Sequence, residues 1–349
     1  MKVKGLTWLM VSLVVAISLI IGGCAPAVEV PEVPEEPEEK ALHFTIVGGT
    51  IGGTGNLKAN LCAGILKKWA GVDSTVLVLV TMAHPDALRA GVADISVHTN
   101  TFQHAWLRDA TGVYAGSEPY PDLRSLIPAT ANFMMIHVPV DSTIQTFRDL
   151  VGKRISTGVT GQTSGTTFDM LCEAIGLDPE RDFDRYWLSW PECGAALLAG
   201  KLDAFISGAQ PPIPALVEID IRTPLKLVSF SEEDIANVEG KKLGLSPVTI
   251  PGKYYHMTEP VKSLQYFSCW TTTDRLPEDI AYTLVKSYLE NPDYLGYFHS
   301  SFPGFVTEGY IEDWVKNLDL AAPYHVGAYR YYQEIGWTVP TSMIPPVAK

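Results

Sequence analysis

The stretch Gly158-Val-Thr-Gly-Gln-Thr-Ser-Gly-Thr-Thr167 indicates a binding loop at the start of a helix. Apolar residues behind it recur at the i, i+3, i+4, i+7 spacing of a helix face: Phe168, Leu171, Cys172 and Ile175. Residues 153–158, just before the loop, are typical of a short strand. Such a loop directs unpaired backbone N–H groups and the positive end of the helix dipole at one spot. We therefore expect an anionic group to bind there.

A second copy of this pattern lies near the start of the chain. Residues 43–47 predict a strand, Gly48-Gly-Thr-Ile-Gly-Gly-Thr54 predicts a loop, and an apolar stripe predicts the helix that follows: Leu57, Leu61, Cys62, Ile65, Leu66 and Trp69. Neither loop carries the Gly-Lys-Ser/Thr of a P-loop or the spaced glycines of a dinucleotide fingerprint. The two loops together predict a protein that binds a small anion and uses no cofactor.

The first residues predict export and a lipid anchor. Lys2 and Lys4 precede an apolar run, residues 6–21, and the run ends in Ile21-Gly-Gly-Cys24. The run is short for a spanning helix, and small residues before a cysteine suit a processing enzyme. We interpret residues 1–23 as a lipoprotein signal peptide and Cys24 as the acylated new amino terminus, with an uncleaved membrane anchor as the alternative. The protein is then expected in the periplasm or on the outer face of the cytoplasmic membrane.

Residues 24–40 predict a tether. Proline recurs among glutamates in this segment, and this composition favours an extended, self-repelling chain that builds no core. The whole chain has a net charge of −13 and contains no basic run. An acidic chain of this kind is not expected to bind nucleic acid.

The cysteines do not predict a metal site. Apart from Cys24 they are Cys62, Cys172, Cys193 and Cys269, and none forms a Cys-x-x-Cys pair. Buried thiols are the default interpretation. A Cys172–Cys193 disulfide stays open as an alternative, because the protein is expected to be exported.

Strands alternate with helices along the rest of the chain, which predicts two α/β lobes with mostly parallel sheets. Runs at 126–138 and 265–272 predict two strands that cross between the lobes, so the expected architecture is a clamshell. We expect the first lobe in 41–131, the crossing strand and second lobe in 132–262, and the return strand with a helical completion of the first lobe in 263–349. Ligands gather at the carboxyl ends of such strands. Polar residues at those ends are Thr50, Thr81, His84, His98 and Asn100, and Gln210 in the second lobe.

Eight short motifs in order along residues 42–337 resemble the TAXI subgroup of solute receptors that serve TRAP-type membrane transporters. They are Gly48-Gly-Thr-x-Gly-Gly53, Leu88-Arg-Ala-Gly-Val-Ala-Asp94, Asp149-Leu-Val-Gly-Lys-Arg154, Gly161-x-x-Ser-Gly-Thr166, Ala174-x-Gly-Leu-Asp178, Gly200-Lys-Leu-Asp-Ala-Phe205, Leu276-Pro-Glu-Asp279 and His325-x-Gly-Ala-x-Arg-Tyr-Tyr332. The resemblance implies a type II periplasmic-binding-protein fold, no catalysis, and delivery of a small carboxylate, such as an amino acid, keto acid or dicarboxylate, to a TRAP-type permease. It also implies that the loops at 52–54 and 162–167 meet the carboxylate.

These arguments together predict one binding site between the lobes. The candidate ligand-binding residues are Thr50, Gly52, Gly53, Thr54, Thr81, His84, His98, Asn100, Gln162, Thr163, Ser164, Gly165, Thr166 and Gln210. The chain departs from the family pattern at Gly55-Asn56, Met82-Ala83-His84 and His98-Thr99-Asn100, so the identity of the ligand stays open. For His84 and His98, a structural role is the alternative to ligand binding.

Two other functions fit the same chain. The first is a lipid-anchored enzyme on a two-lobed fold, although no Gly-x-Ser-x-Gly elbow and no His-Glu-x-x-His motif occurs in the sequence. The second is a receptor that reports ligand occupancy to a sensor protein without transport. A neighbouring gene for a many-helix permease would separate transport from sensing.

Overall fold

The structure of the chain is a computed structural model that describes residues 42–346. The predicted signal peptide (1–23), the lipidation site Cys24 and the tether (24–40) lie outside the described residues. Among the described residues, no helix has both the length and the apolar character needed to cross a membrane.

The strands form a single mixed sheet. They are β1 His43–Gly48, β2 Asp73–Val78, β3 Ile95–Asn100, β4 Leu123–Pro139, β5 Arg154–Ser156, β6 Asp184–Tyr186, β7 Ala204–Ala209, β8 Leu225–Val228, β9 Ser246–Ile250 and β10 Val261–Thr273. Their order along the sheet is β2-β1-β3-β10-β4-β7-β5-β6, while β8 pairs with β4 and β9 pairs with β10.

Two groups of parallel strands define two lobes. In the first lobe, β1 pairs in parallel with β2 and β3. In the second lobe, β5 pairs in parallel with β6 and β7. Parallel pairing needs a crossover connection, and helices supply most of these crossovers here. The structure thus confirms the fold class predicted from the sequence, a two-lobed α/β architecture.

Strands β4 and β10 join the lobes. They run antiparallel to each other, from the pair Gln265–Phe133 to the pair Thr273–Leu123. On one side β10 pairs with β3 of the first lobe, and on the other side β4 pairs with β7 of the second lobe. Both crossing strands predicted from the sequence are therefore confirmed, and both are longer than expected.

Helices cover the sheet. They are α1 Thr54–Ile65, α2 His84–Arg89, α3 Thr101–Asp109, α4 Thr163–Ala174, α5 Trp190–Leu198, α6 Pro214–Arg222, α7 Glu232–Gly240, α8 Glu278–Glu290, α9 Pro292–Gly296, α10 Phe302–Thr307, α11 Tyr310–Asn317 and α12 Val326–Glu334. A π-helical turn, Leu66–Ala70, extends α1. Helices α8 to α12 follow the return strand β10, and they bury α1 in one apolar cluster with Leu284 and Tyr332. The C-terminal part of the chain therefore completes the first lobe.

The second lobe has its own aromatic core. Phe168 of α4 packs against Phe147 and Phe183, with ring centroids 5.6 and 5.0 Å apart. An ion pair lies beside this core, because Arg148 Nη2 donates to the buried Asp234 Oδ1 at 2.7 Å. These contacts fix helix α4, and with it the glycine loop that precedes the helix.

Two local predictions are wrong and one open question is answered. The sequence Tyr186-Trp-Leu-Ser189 predicts a strand, but the strand lies at Asp184–Tyr186, because Ser189 forms a capping box with Glu192 at the start of α5. The sequence predicts a helix directly after Ser207-Gly-Ala-Gln-Pro211, but the helix begins only at Pro214, since residues 210, 211 and 213 each precede a proline and are biased toward extended backbone, as Ile213 shows. The four cysteines of the described chain are buried free thiols, so Cys172 and Cys193 form no disulfide.

Candidate functional site

The two glycine loops face each other across a small cavity. Its lining comes from both lobes: Gly49, Thr50, Gly53, Thr54, Gly55, Thr81, His98, Gln162, Thr163, Ser164, Trp190, Gly208 and Ala209. The space open to the centre of a water molecule is about 20 Å³, which is room for about one ordered water. The cavity is small because the lobes are closed on each other.

Polar contacts between the lobes hold this closed arrangement. Gln162 Nε2 donates to Thr50 Oγ1, and Asn100 Nδ2 donates to Thr163 Oγ1 at 3.0 Å. The backbone also bridges the lobes, because Met82 N–H donates to the Gly161 carbonyl at 3.1 Å. Gln162, Thr50 and Thr163 all belong to the predicted site, so the structure brings the two predicted loops together.

Both helices that begin at the cavity lack a side-chain cap. Helix α1 starts after Gly53 and helix α4 starts after Gln162, and in neither case does the N-cap side chain accept a hydrogen bond from the first turn. The first N–H groups of a helix have no partner within the helix and carry a partial positive charge. Two helix N-termini therefore face one cavity, an arrangement suited to a carboxylate.

Trp190 adds a donor that was not among the predicted site residues. Its indole lies against Gly53 of the opposite lobe, and an ideal Cβ on Gly53 would stand 3.5 Å from the ring. The indole Nε1 is buried and has no hydrogen-bond partner among the described residues. An indole N–H can only donate, so a residue that lines the cavity carries an unsatisfied buried donor.

A buried lysine stands behind the cavity. Lys58 of α1 is fully buried, and its Nζ lies 3.3 Å from His98 Nδ1, 3.1 Å from Ser268 Oγ and 3.4 Å from Asn132 Oδ1. Burial holds the pKa of Lys58 well below its usual value. Burial also lowers the pKa of His98, and the neighbouring Lys58 charge lowers it further. A neutral His98 therefore faces the cavity at neutral pH.

Lys58 was missed in the sequence analysis, although the sequence contains a signal for it. It stands at the i position of a stripe that continues with Leu61, Cys62 and Ile65 at i+3, i+4 and i+7. All four side chains are buried. A lysine in register with an apolar helix face is expected to be buried, and buried lysines are uncommon unless they are paired.

Six of the predicted site residues do not line the cavity. Gly52, His84, Asn100, Gly165, Thr166 and Gln210 lie next to it or behind its lining. Gly52 contacts the second lobe, since its carbonyl accepts from Ala215 N–H at 3.3 Å. His84 is buried beside Ser96, and burial lowers its pKa to about 4. Gln210 Nε2 donates to Asn132 Oδ1 at 2.8 Å, behind the cavity wall.

Ser164 lines the cavity, but its hydroxyl is already engaged. Its Oγ donates to the Thr157 carbonyl at 2.5 Å and so closes the loop that leads into α4. Its backbone N–H, in the first turn of α4, is the group that remains for a ligand. Ser164 is therefore a candidate ligand donor through its main chain and not through its hydroxyl group.

A larger cavity lies elsewhere on the first lobe. Its volume is about 360 Å³, and it lies between α3 and residues 319–323, with Leu107, Tyr120 and Pro121 in its lining. Neither glycine loop reaches it. We therefore place the candidate site at the smaller cavity, where polar groups of both lobes converge.

Comparison with known proteins places the chain in a class and then in a family. The class is defined by the fold, a two-lobed α/β architecture with a large central sheet flanked by helices. The model of the NMT1-like family matches residues 82–336, and the chain belongs to that family.

Solved structures with this fold share little sequence with the chain. A protein of Bordetella bronchiseptica RB50 is 12% identical with a TM-score of 0.50, over 84% of this chain and 98% of that one. A putative L-cystine ABC transporter from Listeria monocytogenes is 13% identical with a TM-score of 0.48, over 76% and 97%. The periplasmic aliphatic sulphonate binding protein from Escherichia coli is 14% identical with a TM-score of 0.42, over 86% and 95%. At these identities the likeness concerns the fold alone.

Proposed function

We propose that this protein is an extracytoplasmic solute-binding protein, not an enzyme, that closes its two lobes on a small carboxylate and delivers the carboxylate to a TRAP-type permease. The observation that carries the proposal is the pair of uncapped helix N-termini, of α1 and α4, that face one cavity from opposite lobes. A solute that bridges both N-termini binds the closed form better than the open form. This difference in affinity is the only way in which a ligand can drive closure.

The donors at the cavity suffice for a useful affinity without an arginine. Charge-assisted hydrogen bonds contribute roughly 1.5–3 kcal/mol each. Two or three of them, from the N–H groups of the loops and from Trp190 Nε1, correspond to micromolar binding. Because the closed cavity holds about one water, a whole amino acid, keto acid or dicarboxylate enters only when the lobes part, and the lobes then close on it less far than in the described form.

The TRAP-type partner rests on the resemblance of the eight motifs to the TAXI subgroup. Related folds serve ABC transporters, as the Listeria monocytogenes protein shows by its description. Uptake assays in proteoliposomes separate the two partners. A TRAP-type permease is expected to move the solute with an ion gradient and no ATP, whereas dependence on ATP would overturn this part of the proposal.

Cys24 is the proposed lipidation site, with residues 1–23 removed and residues 24–40 acting as the tether. We further propose the lobe boundaries at 41–131, 132–262 and 263–349, where the crossing strands change lobes. Labelled palmitate is expected to enter the native protein and not Cys24→Ala. Equal labelling of both would contradict the anchor.

Isothermal titration of the purified protein tests the proposed ligand class. The panel contains L-glutamate, 2-oxoglutarate, succinate, an aromatic keto acid and the amide or ester of each acid. We expect micromolar binding of one carboxylate class and no binding of its neutral derivative, since the helix N-termini favour a full negative charge. Binding of a neutral derivative with equal affinity would contradict the proposed site.

The substitution Gly161→Ala tests lobe closure. Gly161 has a φ of +81°, and an ideal Cβ on it would stand 2.9 Å from Val80 Cγ2 of the opposite lobe. We expect about tenfold weaker binding in titration, because the new methyl group opposes the closed form and spares the open form. The control Gly200→Ala carries similar backbone strain, since Gly200 has a φ of +65°, but its Cβ meets nothing within 4 Å. Equal affinity in both variants would exclude this contact as part of closure.

A further inference from the structure

The environment of Lys58 contains hydrogen-bond acceptors but no carboxylate. Its three partners are His98 Nδ1, Asn132 Oδ1 and Ser268 Oγ. Within the described residues Lys58 forms no salt bridge. Burial lowers its pKa. An ammonium group has three hydrogens for three acceptors. The geometry therefore suits the charged form, while the missing counter-ion works against it.

Three histidines are linked to Lys58, either directly or through His98. His98 on β3 makes the direct contact with Lys58. His84 on α2 is close enough for its charge to lower the pKa of His98. His299, between α9 and α10, has a pKa that the Lys58 charge also lowers. On β4 and β10 the facing groups are the neutral Asn132 and Ser268. Nothing among these described neighbours balances a positive charge on Lys58.

His98 connects Lys58 to the cavity. Its ring lines the cavity, its Nδ1 faces Lys58, and its Nε2 has no hydrogen-bond partner among the described residues. When Nδ1 accepts a hydrogen bond from an ammonium group, the ring proton of a neutral imidazole resides on Nε2. The only proton that the ring can then offer points away from Lys58.

We propose that Lys58 holds His98 in the Nε2–H tautomer as a donor to the bound anion and supplies the positive charge that the anion neutralises. In this proposal, which rests on the proposed function, His98 touches the ligand and Lys58 is a positioning residue. The anion takes the place of the acid that a buried lysine ordinarily has as its partner. The site thereby selects an anion over a neutral isostere without an arginine.

Proton uptake on binding is the consequence. An anion next to Lys58 and His98, here called the pair, raises the pKa of Lys58 from its lowered value in the free protein. Affinity is therefore highest below the free-state pKa, falls by up to tenfold per pH unit between the free-state and bound-state values, and is lowest above both. The decrease in affinity with rising pH is a property of the pair.

The variants Lys58→Met and Lys67→Met test the pair. Methionine fills a similar volume without a charge, so Lys58→Met is expected to keep the wild-type melting temperature or exceed it. Lys67 is exposed and paired with Asp73 at 2.8 Å, which makes it a matched control in the π-helical turn that extends α1. Against 2-oxoglutarate, L-glutamate and succinate from pH 5.5 to 9, we expect Lys58→Met to bind at least tenfold more weakly at low pH and to lose the pH slope. Lys67→Met is expected to match the wild type.

Nitrogen-15 NMR of histidine-labelled protein provides a readout that needs no ligand. At a pH below the free-state pKa of Lys58, where its ammonium group is charged, we expect His98 of the wild type with its proton on Nε2, and a mixture of tautomers in Lys58→Met. A proton on Nδ1 in the wild type overturns the pair, even when no acid of the panel binds and the proposed function fails. Conversely, acids that bind Lys58→Met with wild-type affinity and pH slope overturn the pair while the proposed function stands.

Discussion

Replacing Gly327 with alanine is expected to lower the free energy of unfolding by about 3 kcal/mol. Gly327 lies in the first turn of α12, where that helix crosses α8. An ideal Cβ there would overlap the Glu278 carbonyl oxygen and stand 2.8 Å from Tyr282 N, both of them backbone atoms of α8. Backbone atoms cannot rotate aside, so the helices must separate and open the core of the first lobe.

Denaturant unfolding of Gly327→Ala and Gly240→Ala measures this effect. Gly240 is the exposed last residue of α7. It has no positive φ, and an ideal Cβ on it would meet no atom within 4 Å. Its substitution is expected to change stability by less than 1 kcal/mol, in the stabilising direction. If both variants unfolded at the same denaturant concentration, the packing of α12 on α8 would not be as close as described.

Arg148→Met is expected to destabilise the protein by about 3 kcal/mol. Asp234 is completely buried, and its Oδ1 accepts from Arg148 Nη2 at 2.7 Å and from Nε at 3.0 Å. Removal of the guanidinium leaves a buried carboxylate without a counter-ion. The cost then arises from the stranded charge more than from the lost pair.

Two further variants separate these contributions. Arg148→Met combined with Asp234→Asn removes both charges, and we expect it to regain a large part of the lost stability in thermal and denaturant unfolding. Arg222→Met breaks an exposed pair with Glu218, and an effect below 1 kcal/mol is expected for it. A loss in the double variant as large as in Arg148→Met alone would point to packing of the arginine stem as the cause.

The architecture could be predicted from the sequence because it depends on local patterns of residue type. The glycine loops at 48–54 and 158–167 stand between β-prone and amphipathic segments, and both occur at helix starts in the structure. The apolar run at 126–138 exceeds the length of an ordinary strand, and the β character of residues 265–272 indicated the return crossing. Element ends were less accessible, since the end of β6 depends on the capping box at Ser189 and the start of α6 on the prolines at 211, 212 and 214.

The candidate site was accessible only in part, because its inner wall depends on contacts between distant segments. Loop residues such as Thr50 and Gln162 were predicted and do meet. Trp190 is not among the predicted site residues, since nothing in its sequence neighbourhood indicates that its ring reaches Gly53 of the other lobe. Lys58 is not among the residues predicted for the site, because lysine is mostly found at the solvent-exposed surface. Its partners on β3, β4 and β10 become neighbours only when the sheet forms.

The late position of β10 in the chain has a consequence for biosynthesis. The contact between Lys58 and Ser268 joins residues 210 positions apart, and β3 likewise waits for β10 as its neighbour. At ribosomal rates of about 5–20 residues per second, this delay is on the order of 10–40 s. During translation the first lobe therefore lacks the strand that completes its sheet. A chain that must pass through a secretion channel before it folds is well served by this delay, and the proposed export of the protein fits it.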